Sequence, residues 1–202
     1  LLAAVLIYIF AWKGGISPVR LVLVGIAVNA GFNAILILFQ LKMDPQDFDQ
    51  AITWLSGSIW GTDWHYVLAV LPWLVILIPI TMLKSSTLNI IQMGDEIASG
   101  LGIHMERERG IFLLIAVALA GAAVSVAGNI AFLGLVAPHL VRRLIGPKHQ
   151  GLLPASALMG ALILVVADMI GKNLLEPSEI PVGIVVSAIG APYFIYLLIK
   201  TD

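Results

Sequence analysis

The stretch Met-Gly-Asp-Glu-Ile-Ala-Ser-Gly-Leu-Gly-Ile-His-Met-Glu-Arg-Glu-Arg-Gly, residues 93–110, decides how this chain is laid out. It is polar and charged, and it separates two long apolar runs, Tyr66–Leu83 and Ile111–Ala127. Asp95 is placed to cap a short helix, Glu96–Leu101 supplies about one and a half turns, and Gly100 and Gly102 end it. Ile97 and Leu101 stand one turn apart and form an apolar ridge, with Glu106, Arg107, Glu108 and Arg109 beyond. A plain loop needs no such ridge. An exposed apolar knob on a short helix suits a groove on a soluble partner; the other reading is a helix lying at the lipid headgroups.

Outward from that stretch the chain is membrane material. Of 202 residues 60% are apolar and 11% charged, and mean hydropathy is +1.02. Soluble domains hold about 25% charged residues, and charge is costly in hydrocarbon. The net charge of −1 says little. The absence of cysteine excludes disulfides, thiolate metal sites and cysteine nucleophiles. Lys and Arg form no patch interleaved with aromatics, so nucleic acid is not an expected partner.

Seven apolar runs fall at Leu1–Trp12, Leu21–Leu41, Tyr66–Leu83, Ile111–Ala127, Ile130–Ile145, Leu152–Ile170 and Pro181–Ile199. The first would extend only about 18 Å as a helix against a hydrocarbon core of about 30 Å. It reads as the tail of a spanning helix, and the chain as the C-terminal part of a longer protein. The other six are predicted to cross, the run Ile130–Ile145 being short. The expectation is an all-α, polytopic transmembrane bundle of six full spans plus a partial one, forming a single domain over residues 1–202.

Alternating the crossings puts Lys13, Arg20, Lys84, Arg107, Arg109, Arg142, Arg143, Lys148 and Lys200 on one side, against Lys42 and Lys172 on the other. That bias makes the first side cytoplasmic. The Met93–Gly110 stretch is then inside. Outside lie Asp44, Asp47, Asp49, Asp63, Glu176 and Glu179, with Trp54, Trp60 and Trp64 suited to an interfacial belt. The outer segment Asp44–Gly61 predicts a short helix on the outer face. Asp44 would be its N-cap and Pro45 its first residue; Phe48, Ile52 and Leu55 follow at helical spacing, and Ser56-Gly57 ends it.

Some polar residues interrupt the apolar runs. Asn29, Asn33 and Gln40 point within about 40° of one another on a helix, so the stripe faces protein or a water-filled path. Interhelical hydrogen bonding beside Gly25, Ala30 and Gly31 and a lining for a path are equal readings. Asp168, the one acid deep in an apolar run, is a functional candidate by default, but Lys172 one turn on can pair with it. His139 has no metal-ligand partner at the usual spacing; it is expected to hydrogen-bond a neighbouring helix end, with Pro138 kinking its helix and Arg142 and Arg143 anchoring it on the inner side. The words Val24-Gly25-Ile26-Ala27-Val28-Asn29-Ala30 and Val182-Gly183-Ile184-Val185-Val186-Ser187-Ala188 agree at five of seven positions on oppositely directed helices, through inverted repetition or by chance. No nucleophile–base pair, nucleotide-binding glycine loop or paired catalytic carboxylates stand out. An enzyme is not expected.

The run Gly128-Asn129-Ile130-Ala131-Phe132-Leu133-Gly134-Leu135-Val136-Ala137-Pro138-His139-Leu140-Val141-Arg142, with Leu153-Pro154, Ala167-Asp168, Glu179-Ile180-Pro181-Val182-Gly183-Ile184 and Gly190-Ala191-Pro192, resembles the FecCD-type permeases. These are the membrane subunits of ABC importers for ferric siderophores, haem and cobalamin. The likeness runs from about Arg20 to Lys200, in family order.

It implies ten membrane helices per full subunit, and a second permease, alike or homologous, enclosing a central path. It also implies two ABC ATPase subunits that hold ATP and Mg while this chain holds no cofactor or metal, an extracytoplasmic substrate-binding protein, and a bacterial cytoplasmic membrane. The family's coupling helices match Leu88–Ile103, where Gly94, Asp95, Glu96, Ala98, Gly100, Leu101 and Gly102 fit the pattern. The resemblance places Asn29 and Asn33, with Gln40, along the path. It puts the outer gate and binding-protein footprint at Asp44–Gly61, with Trp54, Ser56, Ser58, Trp60, Glu176 and Glu179. Family permeases often meet acidic residues of the binding protein with arginines outside; this chain has none on that side. Ferric siderophore is the expected cargo. Cobalamin or haem is the alternative, and a proton-coupled secondary carrier using Asp168 is another.

Overall fold

The computed structural model describes residues 2–11, 18–174 and 179–200. Their ordered elements are helices: α1 (Leu2–Ala11), α2 (Pro18–Gln40), α3 (Pro45–Leu55), α4 (Trp64–Leu83), α5 (Ser85–Ile91), α6 (Asp95–Gly100), α7 (Met105–Ala127), α8 (Leu133–Ile145), α9 (His149–Leu174) and α10 (Val182–Lys200). Local chemistry sets several boundaries. Pro18 and Pro45 open α2 and α3, where a missing N–H costs nothing. Asp63 caps α4 by accepting from the backbone N–H groups of His65 at 2.9 Å and Tyr66 at 3.4 Å. Asp44 stands at the N-cap of α3 as expected, but its side chain makes no cap hydrogen bond. Lys13 and Glu176, which the sequence assigns to the inner and outer sides, lie outside the described residues.

Of the six predicted crossings, four are long and apolar enough to span alone: Val19–Gln40, Trp64–Leu83, Met105–Ala127 and His149–Leu174. The other two are shorter. The apolar part of α10 is Val182–Leu197. The run from Ile130 does not become helical until Leu133, so α8 has 13 residues, about 20 Å of helix. The non-helical residues Gly128–Phe132 add up to about 16 Å, which brings the α8 crossing to membrane depth. Non-helical backbone at that depth is tolerated only when protein covers it.

Protein covers much of it: Gly128 is buried and Ile130, Ala131 and Phe132 are half-buried, while Asn129 is exposed. The described helices pack mainly as α1 on α2, α4 on α7, and a trio in which α9 lies between α8 and α10. The most buried apolar cluster, Ala167, Val182, Val185 and Val186, sits at the outer end of that trio, and Ile130 and Leu133 of the break pack against it. Small residues let the trio close: Gly160 of α9 meets the Cβ of Ala137, and Gly190 of α10 faces Phe132 and Val136.

The tightest junction joins three glycines. Gly57 follows α3, Gly128 ends α7 and Gly183 lies in the first turn of α10; all three are buried. A side chain on Gly128 would run into the Trp54 carbonyl, and one on Gly183 into that of Ser56. One on Gly57 would stand 2.7 Å from the Asn129 carbonyl. Gly57 and Gly128 also have positive φ, +78° and +68°, which L residues rarely adopt. The Gly57 carbonyl accepts the Gly183 N–H at 2.9 Å, so the outer loop caps α10, whose first N–H groups have no partner in their own helix.

The two similar words of sequence serve different purposes. Gly183 is pressed against backbone, whereas Gly25 meets nothing within 4 Å. Gly183→Ala should therefore destabilise the purified subunit by roughly 1–3 kcal/mol, the range for overpacking. Gly121→Ala on α7, where a Cβ meets nothing within 4 Å, should be neutral or slightly stabilising. Thermal unfolding in detergent distinguishes them, and equal melting temperatures would contradict the junction.

Candidate functional site

At the end of the bundle expected to face inward, α5 and α6 form the short-helix segment anticipated at Leu88–Ile103. The cap differs from expectation. Gly94, at φ 110°, occupies the N-cap of α6, and Asp95 is the first helical residue. The Asp95 carboxylate instead accepts from Arg109 Nη2 of α7 at 2.7 Å, because the positive-φ turn at Gly94 starts the helix one residue early. As first-turn acids, Asp95 and Glu96 still suit the positive end of the helix dipole.

The C-terminus closes as a Schellman motif. Ile103 N–H donates to the Ala98 carbonyl at 3.1 Å and Gly102 N–H to Ser99 at 3.0 Å, with Gly102 at φ +82°. Ala98 is fully buried, while Ile97 and Leu101 are 52% and 63% exposed. The helix thus rests on its alanine and presents the ridge outward. Glu96 and Gly100 are exposed beside it.

Two further contacts hold this segment, neither of them anticipated. Lys84, where α4 meets α5, donates to both carboxylate oxygens of Glu108 in α7 at 2.7 and 2.6 Å and lies 5.9 Å from the Phe112 ring centre. The signal in the sequence was faint: one cation and one anion at the facing ends of two apolar runs. On the other flank, Ser86 and Asn89 of α5 meet His149 and Gln150 of α9. Nothing in the sequence linked residues 60 apart. Beside them opens a cavity of about 750 Å³ lined by Asn89, Gln92, Met93, Ile145, Lys148 and Gln150 among others.

On α2, Asn29 and Asn33 are exposed and Gln40 is half-buried. Gly25 and Gly31 meet nothing within 4 Å, and the main neighbour of α2 is α1. Among the described residues, the close helix approach that would make the amide stripe an internal hydrogen-bond seam is not formed.

At the end expected to face outward, Ser56 donates to the Ile52 carbonyl at 2.7 Å. Ser58 accepts the Trp60 N–H at 3.2 Å, shaping the turn that leaves Trp60 70% exposed and Trp54 partly so. Thr53, Ser58 and Trp60 separate two hollows. One, about 320 Å³, also touches Asp168, Lys172 and Glu179; the other, about 500 Å³, touches Asp49, Trp54 and Tyr66. Lys172 Nζ lies 2.7 Å from Asp168 Oδ2. Asp168 is six residues before the end of α9, about 9 Å, and opens on the outer hollow rather than lying deep in the bundle.

His139 also departs from expectation. It meets the ring of Tyr193 on α10 edge-on, 6.3 Å between centres, and not a helix end. Among the described residues, its buried Nε2 and the Tyr193 hydroxyl make no hydrogen bond. The reason is the packing of α8 on α10, which brings the two rings together. Pro138 sits within α8, and Arg142 and Arg143 are exposed in its last turn, where cations suit the helix dipole.

Comparison with known proteins bears on these surfaces. Residues 1–200 match the family model FecCD, described as the FecCD transport family. The chain is 60% identical to the iron(3+)-hydroxamate import system permease protein FhuG of Bacillus subtilis (strain 168), over 100% of this chain and 60% of that protein. It is 48% identical to the iron-uptake system permease protein FeuC of the same organism, over 99% and 60%. To the Fe(3+) dicitrate transport system permease protein FecD of Escherichia coli (strain K12) it is 39% identical, over 91% and 58%. A solved structure described as a metal-chelate type ABC transporter in an inward-facing conformation superposes with a TM-score of 0.88 at 30% identity, covering 98% of this chain and 63% of that one. The chain therefore spans about 60% of the length of the curated relatives it matches.

The Lys84–Glu108 pair is partly screened, at 30% and 17% exposure, so its coupling should be modest. A double-mutant cycle with Lys84→Ala and Glu108→Ala should give about 1 kcal/mol, shrinking as salt is raised. A coupling energy of zero at low salt would show that α4 and α7 are not joined there.

Proposed function

The chain belongs to the FecCD transport family, and on that premise we propose that it is the C-terminal part of the permease subunit of an ATP-driven importer in a bacterial cytoplasmic membrane. The cargo is a ferric siderophore; the relatives named for iron(3+)-hydroxamate and iron uptake support that class. The subunit pairs with a second permease, alike or homologous. Two ATPase subunits bind ATP and Mg on the inner side, and a substrate-binding protein delivers cargo outside.

The observation that carries this reading is the α6 knob. It is capped at both ends, tied to α7 by Asp95–Arg109, and turns Ile97 and Leu101 away from the bundle. A helix resting at the headgroups would not need an ion-paired anchor and a Schellman stop to fix its direction. Gly94, Asp95, Glu96, Ala98, Gly100, Leu101 and Gly102 shape and aim the knob, which fits a groove on the ATPase. ATP binding draws the two ATPases together, and the knob passes that motion to the helices lining the path. For the motion to be transmitted, the knob must bind its partner differently in the two states.

Asn29, Asn33 and Gln40 face away from the chain's own core, which supports a lining role between two permeases. Neutral amides offer hydrogen bonds to a polar chelate without a fixed charge to trap it. Trp54, Ser56, Ser58, Trp60, Glu176 and Glu179 form the outer gate and footprint. That rim is acidic in its described part, so it suits a binding protein presenting basic groups. The engagement of Asp168 by Lys172 near the outer end of α9 supports a structural role for this acid over proton coupling.

Leu101→Glu should reduce ATP-driven uptake at least tenfold in the assembled transporter while leaving bundle stability within about 0.5 kcal/mol, as for an exposed position. Uptake by that variant at the level of the parent protein would remove the basis for the knob as the coupling element. Uptake by the parent should also cease on ATP depletion and persist when the proton gradient is dissipated; the reverse pattern would establish the secondary carrier.

A further inference from the structure

We propose that Asn89 is a positioning residue that makes α9 move with the coupling knob; this rests on the importer reading above. Three observations support it. First, the Asn89 side-chain carbonyl accepts the backbone N–H of His149 at 2.9 Å, with His149 Nδ1 2.7 Å from the same oxygen. His149 is the first residue of α9. The residue before it, Lys148, contributes its backbone carbonyl to Gly151 and Leu152, but its ammonium side chain has no acceptor with which to cap a helix start. A side chain from another helix therefore caps α9.

Second, the contact closes on itself. Asn89 Nδ2 donates to Gln150 Oε1 at 2.8 Å, and Gln150 Nε2 donates to Ser86 Oγ at 3.2 Å. Ser86 and Asn89 lie one turn apart on α5, so α5 and α9 are joined by a ring of two side-chain amides and a hydroxyl rather than by one bond. Amide forks hold direction as well as distance.

Third, the ring stands between the knob and the bundle. From Asn89 the chain runs through Gln92, Met93 and the turn at Gly94 straight into α6. On the far side, α9 is the helix on which α8 and α10 pack. The two ion pairs tie the segment to α7; the side-chain ring ties it to the trio. A push on Ile97 and Leu101 thereby reaches α9 at its first turn, and through α9 the outer junction at Gly171, whose carbonyl accepts the Ile180 N–H at 3.2 Å.

The test uses the complete transporter, with both permeases, ATPases and binding protein, in proteoliposomes, and reads cargo moved per ATP hydrolysed. Asn89→Ala should lower that ratio by about fivefold, the size expected for loss of one helix cap. Asn89→Asp, which keeps the acceptor and suits a helix N-terminus, should restore most of it. An unchanged ratio in N89A, or equal deficits in N89A and N89D, would overturn the proposal.

Because the chain has no native cysteine, Asn89→Cys with Gln150→Cys provides a second route that does not depend on hydrogen bonding. Joining the two thiols with a short bismaleimide should bring the ratio back toward that of the parent. If the bridge blocks uptake instead, α5 and α9 must separate during the cycle and the proposal fails. Failure of the parent protein to show ATP-driven uptake would sink the importer reading itself; normal parent uptake with an unaltered N89A ratio sinks only the role of Asn89.

Discussion

In a bilayer the groups that most need a partner are the backbone N–H and C=O atoms at the ends of helices, because no water is available to them. At two helix starts this chain meets that demand from outside the helix concerned. The Gly57 carbonyl accepts from the first turn of α10, and Asn89 of α5 accepts from the first turn of α9. The segments between the long helices thus become structural parts of the bundle. Removing the buried Gly57 cap leaves a polar group without solvent, a cost of roughly 1–3 kcal/mol, whereas the part-exposed Asn89 cap is worth about 1 kcal/mol.

The two caps differ in how they can move. The outer one is made by glycine backbone meeting glycine backbone, with carbonyls of Trp54 and Ser56 where side chains would otherwise be. Such packing has no soft degree of freedom: the groups fit or they part. The inner one is made by side chains of serine, asparagine, histidine and glutamine, whose torsions allow small rotations while bonds persist. The rigid contact fixes the start of α10, and the compliant one holds the start of α9. The break at Gly128–Phe132 belongs to the same arrangement, since Gly128 is one of the three glycines and Phe132 packs against Gly190 of α10.

Charge is distributed to match. The ion pairs Lys84–Glu108 and Asp95–Arg109 gather at the inner ends of α4, α6 and α7, where water keeps their individual worth small but their combined directionality useful. Outside, Asp168 and Lys172 neutralise each other beside a hollow rimmed by Trp60 and Glu179. The trio α8–α10 between is held by size: Gly160 on Ala137, Gly190 on Phe132, Val185 and Val186 around Ala167. Without a hydrophobic driving force between helices in lipid, such close steric fit is what holds them.

The sequence by itself determined the class of fold, four of the six predicted crossings, the short helix at Pro45–Leu55 and the one carrying Ile97 and Leu101. Each of these is a local matter of apolar length, Pro and Gly placement, or spacing along one helix. The pairing of Asp168 with Lys172 was legible for the same reason, being one turn apart. Tertiary structure decided the rest. Gly94 and not Asp95 opens α6, its positive φ turning the chain into the helix, and Arg109 from another helix pairs with the Asp95 carboxylate. His139 meets Tyr193 because α8 packs on α10. The similar words at Val24 and Val182 part company because Ser56 presses on Gly183, while among the described residues a side chain at Gly25 would meet nothing within 4 Å. The caps from Gly57 and Asn89 join residues more than fifty positions apart, and a contact at that separation leaves no periodicity in the sequence; only folding brings the two partners together.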